Sequence, residues 1–141
     1  MRKGRAKVID KYRAWDSLNC EMLNNVGCIN WHLEEITCYE KVSLDFSMEF
    51  KHIRLMRFTG IVDKNGKEIY EGDILHWKDK SKAGDGSLEE NVIVYWSNDF
   101  LAWTVQGNNW SVDEPPHYLF EYKDPGEIEV IGNIYEGVLE K

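Results

Sequence analysis

The sequence has 141 residues, a formal net charge of −8, 43% hydrophobic residues and 13% aromatic residues. That length suits one domain, or a small domain with an appendage, and six Trp, seven Tyr and five Phe argue against disorder and favour strands. No apolar run approaches the length of a bilayer span and no apolar segment follows the basic start, so we expect a cytoplasmic protein with no membrane association.

Charge is unevenly distributed along the chain. The first thirteen residues contain six basic residues and one acidic residue, a formal +5, which leaves −13 for the remainder. A short basic arm can contact phosphate, and the candidate phosphate-contacting residues are Arg2, Lys3, Arg5 and Lys7. The alternative is that the basic start is only the solvated end of the first strand. The acidic remainder can keep a protein soluble, repel nucleic acid or imitate it.

Short extended segments fill the first half of the sequence. Apolar residues recur there at spacings of two or three, a pattern typical of strands separated by turns. In chain order, the predictions are a hairpin made of 11–16 and the return through Met22 and Leu23, two or three strands between 26 and 50, and a strand over 52–58. We assign residues 1–50 to an N-terminal β region.

The stretch from 58 to 75 is the most regular part of the chain, and its first turn has two candidate registers. If Asn65 and Gly66 alone form a type I′ loop, Asp63 faces Glu68, and two like charges oppose each other. If residues 63–66 form a type I turn with Gly66 as a left-handed bulge, Asp63 faces Lys67. The bulged register is therefore favoured.

A second turn is predicted at Gly72, where Asp73 can accept a backbone N–H at the start of the next strand. Glu68, Glu71 and Asp73 lie close together in sequence and could instead form an acid–base pair or bind Mg²⁺. The turn already accounts for Asp73, and no His or Lys is placed beside these carboxylates by the sequence. We therefore predict no catalytic residues here.

The second half gives the clearest strand predictions, which cover 74–78, 91–96, 100–106 and 128–135. The polar segment 79–90 is predicted to be a loop, 97–99 a tight turn, and 113–126 a region with one short helical turn around Tyr118. Several short strands in succession favour a small SH3-like β-barrel over residues 51–141. The fold class is thus mainly β, with packing of the two regions into one compact unit as the alternative to two domains.

The three cysteines are expected to be reduced thiols. Their separations of eight and ten residues match neither a disulfide-dense secreted module nor paired zinc ligands. Cys28, His32 and Cys38 could supply three metal ligands, but no Cys-x-x-Cys pair accompanies them. We predict no metal and no cofactor.

Tryptophan side chains offer the best candidate binding surface. Trp77, Trp103 and Trp110 fall on or beside consecutive predicted strands, where exposed rings could hold a peptide or stack on bases. Trp110, between Asn109 and Ser111, is expected to be exposed. Trp96 shares a strand face with valines and is expected to be buried. The structural alternative is that all of these rings belong to the core.

Three separated motifs carry a resemblance to a known family. The block 57–75, the early Lys-Tyr-Arg-Ala-Trp-Asp at 11–16 and the late Glu-Val-Ile-Gly-Asn-Ile-Tyr-Glu at 129–136 occur in the order seen in the YopX family. The sequence resembles that family nearly from end to end. Members are small β-rich proteins encoded by temperate phages and prophages of Gram-positive bacteria. The resemblance implies no catalytic residue, substrate or cofactor. Segment 34–48 and loop 79–90 match no motif.

No catalytic motif such as a nucleophile elbow or a phosphate loop is present in the sequence, so we do not expect an enzyme. The leading hypothesis is a phage or prophage accessory protein that binds a host or phage protein through a barrel face or a strand edge. One alternative is a nucleic-acid-associated protein that uses the basic arm. Another is an acidic decoy of a DNA-binding protein. Self-association into a homo-oligomer stays open.

Overall fold

The computed structural model describes residues 10–40, 44–78, 89–107, 117–122 and 127–139. The chain divides into two compact units, Met1–Gly60 (unit 1) and Ile61–Lys141 (unit 2). Its strands are β1 Tyr12–Asp16, β2 Glu21–Leu23, β3 Val26–Asn30, β4 Glu35–Glu40, β5 Leu44–Glu49, β6 Ile53–Val62, β7 Glu68–Tyr70, β8 Asp73–Lys78, β9 Glu89–Ser97, β10 Ala102–Gly107, β11 His117–Tyr118, β12 Glu127–Asn133 and β13 Gly137–Val138. The 3₁₀ turns are Phe50–His52 and Leu119–Tyr122. The prediction of a mainly β protein is confirmed.

Unit 1 is built from antiparallel strands around a small apolar core. Strand β1 pairs with both β2 and β6, and β4 lies between β3 and β5 in a three-stranded sheet. The alternation of residues along these strands places one set of side chains inward. The buried cluster consists of Ala14, Leu23, Ile36, Cys38 and Ile53.

Unit 2 contains a six-stranded sheet in the order β11-β10-β9-β8-β12-β13. Each pairing in this sheet is antiparallel. The core residues alternate with outward-facing ones along β8 to β10 and β12, as expected for a sheet with one buried face. They are Ile69, Leu75, Val92, Val94, Val105, Leu119 and Ile128. An SH3-like connectivity stays a prediction.

The bulged register at residues 63–66 is confirmed. The Asp63 N–H donates to the Lys67 carbonyl at 2.8 Å, the Gly66 N–H donates to the Asp63 carbonyl at 3.0 Å, and Gly66 is left-handed with φ +79°. The buried Asp63 carboxylate also holds the turn, because Oδ1 accepts from the N–H groups of Asn65 and Lys67 at 2.8 and 2.9 Å. Its Oδ2 accepts from the Val130 N–H of β12 at 2.9 Å. One carboxylate therefore ties the turn to the sheet.

The second predicted turn is confirmed as well. Gly72 is left-handed with φ +84°, and Asp73 Oδ2 accepts the Tyr70 N–H at 2.8 Å. The Gly72 N–H donates to the Val94 carbonyl at 2.8 Å, so this turn is held against β9. Asp73 is fully buried in this role. The two turns in residues 58–75 therefore stabilise the fold.

Three hairpins share one loop geometry, which the sequence did not lead us to expect. Loops 17–20, 31–34 and 98–101 each connect directly paired strand ends with four residues. The last residue of each loop is left-handed: Cys20 at φ 54°, Glu34 at φ 53° and Leu101 at φ 49°. The predicted turn at 97–99 thus extends to Leu101, and strand β10 begins at Ala102 rather than at Phe100.

The residue before each loop caps it with a side-chain oxygen. Asp16 Oδ1 accepts the Leu18 N–H at 2.9 Å, and Asn30 Oδ1 accepts the Leu33 N–H at 2.9 Å. Ser97 Oγ accepts the Phe100 N–H at 3.3 Å. Such caps satisfy backbone donors that the turn leaves without a ladder partner. The loops are therefore fixed in shape whatever side chains they display.

Candidate interaction surface

Two of the tryptophans predicted to form a binding surface are among the described residues of unit 2. Trp77 and Trp103 are half-buried and pack against the core of unit 2. Trp96, predicted to be buried, is instead half-buried. It lies at the end of β9, where its ring meets Trp103 edge-on at 5.3 Å and its Nε1 donates to Asn98 Oδ1 at 3.1 Å.

Other residues predicted from the sequence lie outside the described residues. They are Trp110, loop residues 79–88 and the basic residues Arg2, Lys3, Arg5 and Lys7. Their suggested roles stay predictions.

Three large apolar side chains are exposed on the two capped loops of unit 1. Trp31 is 64% exposed, Leu18 62% and Leu33 59%. We call these three residues the loop patch. Sequence reasoning missed them, because Ile29, Trp31 and Leu33 continue the two-residue spacing of a strand although the chain turns after Asn30.

A single 3₁₀ turn, Phe50–His52, holds both loops of the patch. The Phe50 N–H donates to the Glu34 carbonyl at 2.7 Å, and the Trp31 ring meets the Phe50 ring edge-on at 5.5 Å. On the other side, Ser17 donates to the His52 carbonyl from its N–H at 3.0 Å and from its hydroxyl at 2.7 Å. Trp31 is therefore exposed and yet fixed in position.

A groove of about 290 Å³ borders the patch. It runs between the start of β1 and strand β3, and Trp31 belongs to its wall. Its lining residues are Asp10, Lys11, Tyr12, Val26, Gly27, Cys28, Ile29 and Trp31. We call it the β3 groove.

Strand β3 is the edge of its sheet, since among the described strands it pairs with β4 alone. The pairing shifts register between Val26 and Cys28, which marks a bulge at Gly27. A Cβ at position 27 would overlap the Tyr39 ring, so a larger residue there requires the ring to move. Gly27 itself lines the groove, so the bulge shapes this part of the groove wall.

Burial, hydrogen bonds and nearby charges shift the pKa values of three acidic groups in unit 1. Burial, together with the carboxylate of Asp10, raises the pKa of Tyr12. Burial opposes ionisation of Asp16, but hydrogen bonds from Asn19 and from the Leu18 N–H lower its pKa overall. The ammonium of Lys51, 3.0 Å away, lowers the pKa of Glu49.

The candidate metal ligands of the sequence are not brought together. Cys38 is buried in the core of unit 1, whereas Cys28 and His32 are exposed. Within the part of the chain that the structure describes, no group of three or more His, Cys, Asp or Glu side chains could hold a metal ion. Of the candidate carboxylates, Asp73 serves its turn, and Glu68 Oε1 accepts the Tyr70 hydroxyl at 3.4 Å.

Over the described ranges, no helical segment has the length and hydropathy that a bilayer crossing requires.

The chain is similar to a protein family and to a solved structure. The family model described as YopX protein matches residues 11–138. The crystal structure of protein EF1440 from Enterococcus faecalis is similar, with a TM-score of 0.55 and 24% sequence identity, over 92% of this chain and 96% of that one. At that identity the likeness shows the fold alone. No curated protein matches.

Proposed function

This chain belongs to the YopX protein family, and we propose that it is a non-enzymatic protein-interaction module, encoded by a phage or prophage and acting in the bacterial cytoplasm. The observation that carries the proposal is the loop patch beside the β3 groove. Trp31, Leu18 and Leu33 are each more than half exposed on loops whose backbone is already capped.

Large apolar residues are unusual in turn loops such as these. Turn positions favour Gly, Asn, Asp and Ser, so three large apolar residues there gain little for the fold. At an interface the same residues are effective, because Trp supplies large contact area and is enriched among hot spots. The contact of Trp31 with Phe50 also fixes its ring before binding, which lowers the entropy lost on association.

The occupant that fits this surface is an extended segment of a partner protein. An edge strand offers backbone groups to which another strand can add, and neighbouring pockets then select alternate side chains. In this arrangement the segment pairs with β3 and places an apolar side chain in the groove between Tyr12 and Trp31.

The buried carboxylates also support a non-enzymatic role. Asp16, Asp63 and Asp73 are each less than a tenth exposed and each accepts backbone N–H groups. A carboxylate that closes a turn is not poised to exchange protons with a substrate.

Affinity capture from a host lysate tests the proposal, with nuclease treatment and with phage induction as separate samples. Trp31→Ala is expected to abolish retention of a specific protein. Ile134→Ala is a matched control, since Ile134 is 51% exposed on a turn of unit 2. Retention that survives Trp31→Ala would contradict the assigned surface, and retention lost with nuclease would favour the basic arm instead.

A further inference from the structure

The third capped loop, in unit 2, displays apolar side chains of its own. Phe100 is 51% exposed, and Leu101, at 74%, is the most exposed large hydrophobic residue of the described ranges. Leu101 is also left-handed, a conformation that Gly or Asn adopts at lower cost. Neither the core of unit 2 nor the loop geometry requires leucine at this position.

An aromatic ring of β11 contacts this loop. Thr104 pairs with Tyr95 on one side and with Tyr118 on the other, so the three side chains form a row across the outer face of the sheet. Thr104, in the middle of this row, is fully buried, while both tyrosines are half-buried. The Phe100 ring meets the Tyr118 ring edge-on at 6.4 Å. We call Tyr95, Phe100, Leu101 and Tyr118 the aromatic shelf.

Unit 2 contains many more acidic than basic residues. Residues 61–141 contain seventeen acidic and seven basic residues, and all five arginines of the chain lie before residue 61. Near the shelf, Asp99 belongs to the loop itself, and Glu121 Oε2 lies 3.8 Å from Nδ1 of His117 on β11.

The described lysines of unit 2 that pair with carboxylates, Lys64 and Lys78, lie toward the opposite end of the strands. Lys78 binds Glu89 at 3.2 Å, and Lys64 binds Glu129 at 3.3 Å. Glu89 begins β9 and Trp96 is next to its last residue, a separation of roughly 23 Å at the usual rise of a strand. The rings and the carboxylates of Asp99 and Glu121 therefore lie at the end of the strands away from these lysines.

We propose that the aromatic shelf binds an arginine-bearing, cationic segment of a partner protein. A guanidinium can stack on an aromatic ring while it donates to a carboxylate, whereas an ammonium is a more strongly hydrated point charge. The aliphatic part of the arginine side chain covers Leu101 and Phe100. This surface lies in unit 2 and the β3 groove in unit 1, so the two proposals can fail separately.

Titration of the isotopically labelled full chain with synthetic peptides, followed by amide NMR shifts, tests this assignment. The probe is a neutral-ended peptide containing three Gly-Ser-Arg repeats, and the matched controls carry lysine or uncharged citrulline in place of arginine. We expect shifts at residues 95–101 and 117–121 and an affinity at least about threefold higher for arginine than for either control.

Variants locate the effect. Phe100→Ala is expected to reduce the affinity for the arginine peptide to that for the lysine peptide, and Glu121→Gln to weaken binding and flatten its salt dependence. Val138→Ala, which changes an exposed residue at the opposite edge of the sheet, should leave the affinity unchanged. Equal affinities for arginine and lysine, no binding of the arginine peptide, or full affinity in a folded Phe100→Ala variant would each overturn the proposal.

Discussion

Replacement of Asp63 by Ala is expected to destabilise the protein by about 4 kcal/mol, because three backbone N–H groups lose their acceptor. The bond from Val130 joins the turn to β12, and its loss contributes about 2 to 3 kcal/mol, as for a partly buried hydrogen bond to a charged group. The N–H groups of Asn65 and Lys67 lie in an exposed turn and can be rehydrated, so they add about 1 kcal/mol together.

A short substitution series separates these contributions. Asp63→Asn keeps one acceptor oxygen and should lose about 2 kcal/mol. Lys67→Ala is the control, because it removes an exposed side chain from the same turn and leaves the backbone donor in place. The assay is urea unfolding followed by far-ultraviolet circular dichroism. If Asp63→Ala unfolds at the same urea concentration as Lys67→Ala, the Asp63 carboxylate does not tie the turn to the sheet.

Three further predictions concern the turns and loops. Gly66→Val should cost about 2 kcal/mol in urea unfolding, because a β-branched residue is strained at φ +79°, and unchanged stability would contradict this. Leu101→Asn should stabilise the chain by about 0.5 kcal/mol, because the relief of left-handed backbone strain exceeds the loss of a small buried apolar area. Glu34→Asn is the matched substitution in unit 1. A clear loss of stability on Leu101→Asn would refute the strain argument. Asp16 has a pKa below its unfolded value, so its stabilisation is present above about pH 4 and is lost as the pH falls through the lower folded pKa. Acid unfolding should therefore be less steep in Asp16→Asn than in the wild type.

The turns of unit 2 could be predicted because their requirements are local. Gly66 and Gly72 are the residues that adopt left-handed backbone most readily, and the opposition of Asp63 to Glu68 in the other register disfavours it through charge alone. Strand positions followed from alternation in the same way. The sequence therefore indicated a mainly β fold and these two turns before any tertiary contact was considered.

The interaction surfaces were harder to predict, because exposure depends on where a strand ends. Trp31 has the spacing of a strand residue, and only the cap from Asn30 shows that the chain has already turned. Trp96 was assigned to the correct face of its strand, but its position beside the loop leaves it half-buried. A side-chain acceptor followed by four residues that end in a left-handed one is the signal that connects all three loops.

The most direct test of the β3 groove uses the cysteines already present in unit 1. Cys28 lies on β3 in the groove wall and is exposed, whereas Cys38 is buried, so native alkylation should modify Cys28 and spare Cys38. A Cys20→Ser background removes the other exposed thiol.

The decisive measurement is the alkylation rate of Cys28 in the free protein and in the complex isolated by capture. We expect the bound partner to slow modification of Cys28 by at least about tenfold, because a strand added to β3 covers the thiol. An unchanged rate in the complex would show that the partner binds elsewhere and would contradict the assignment of the groove.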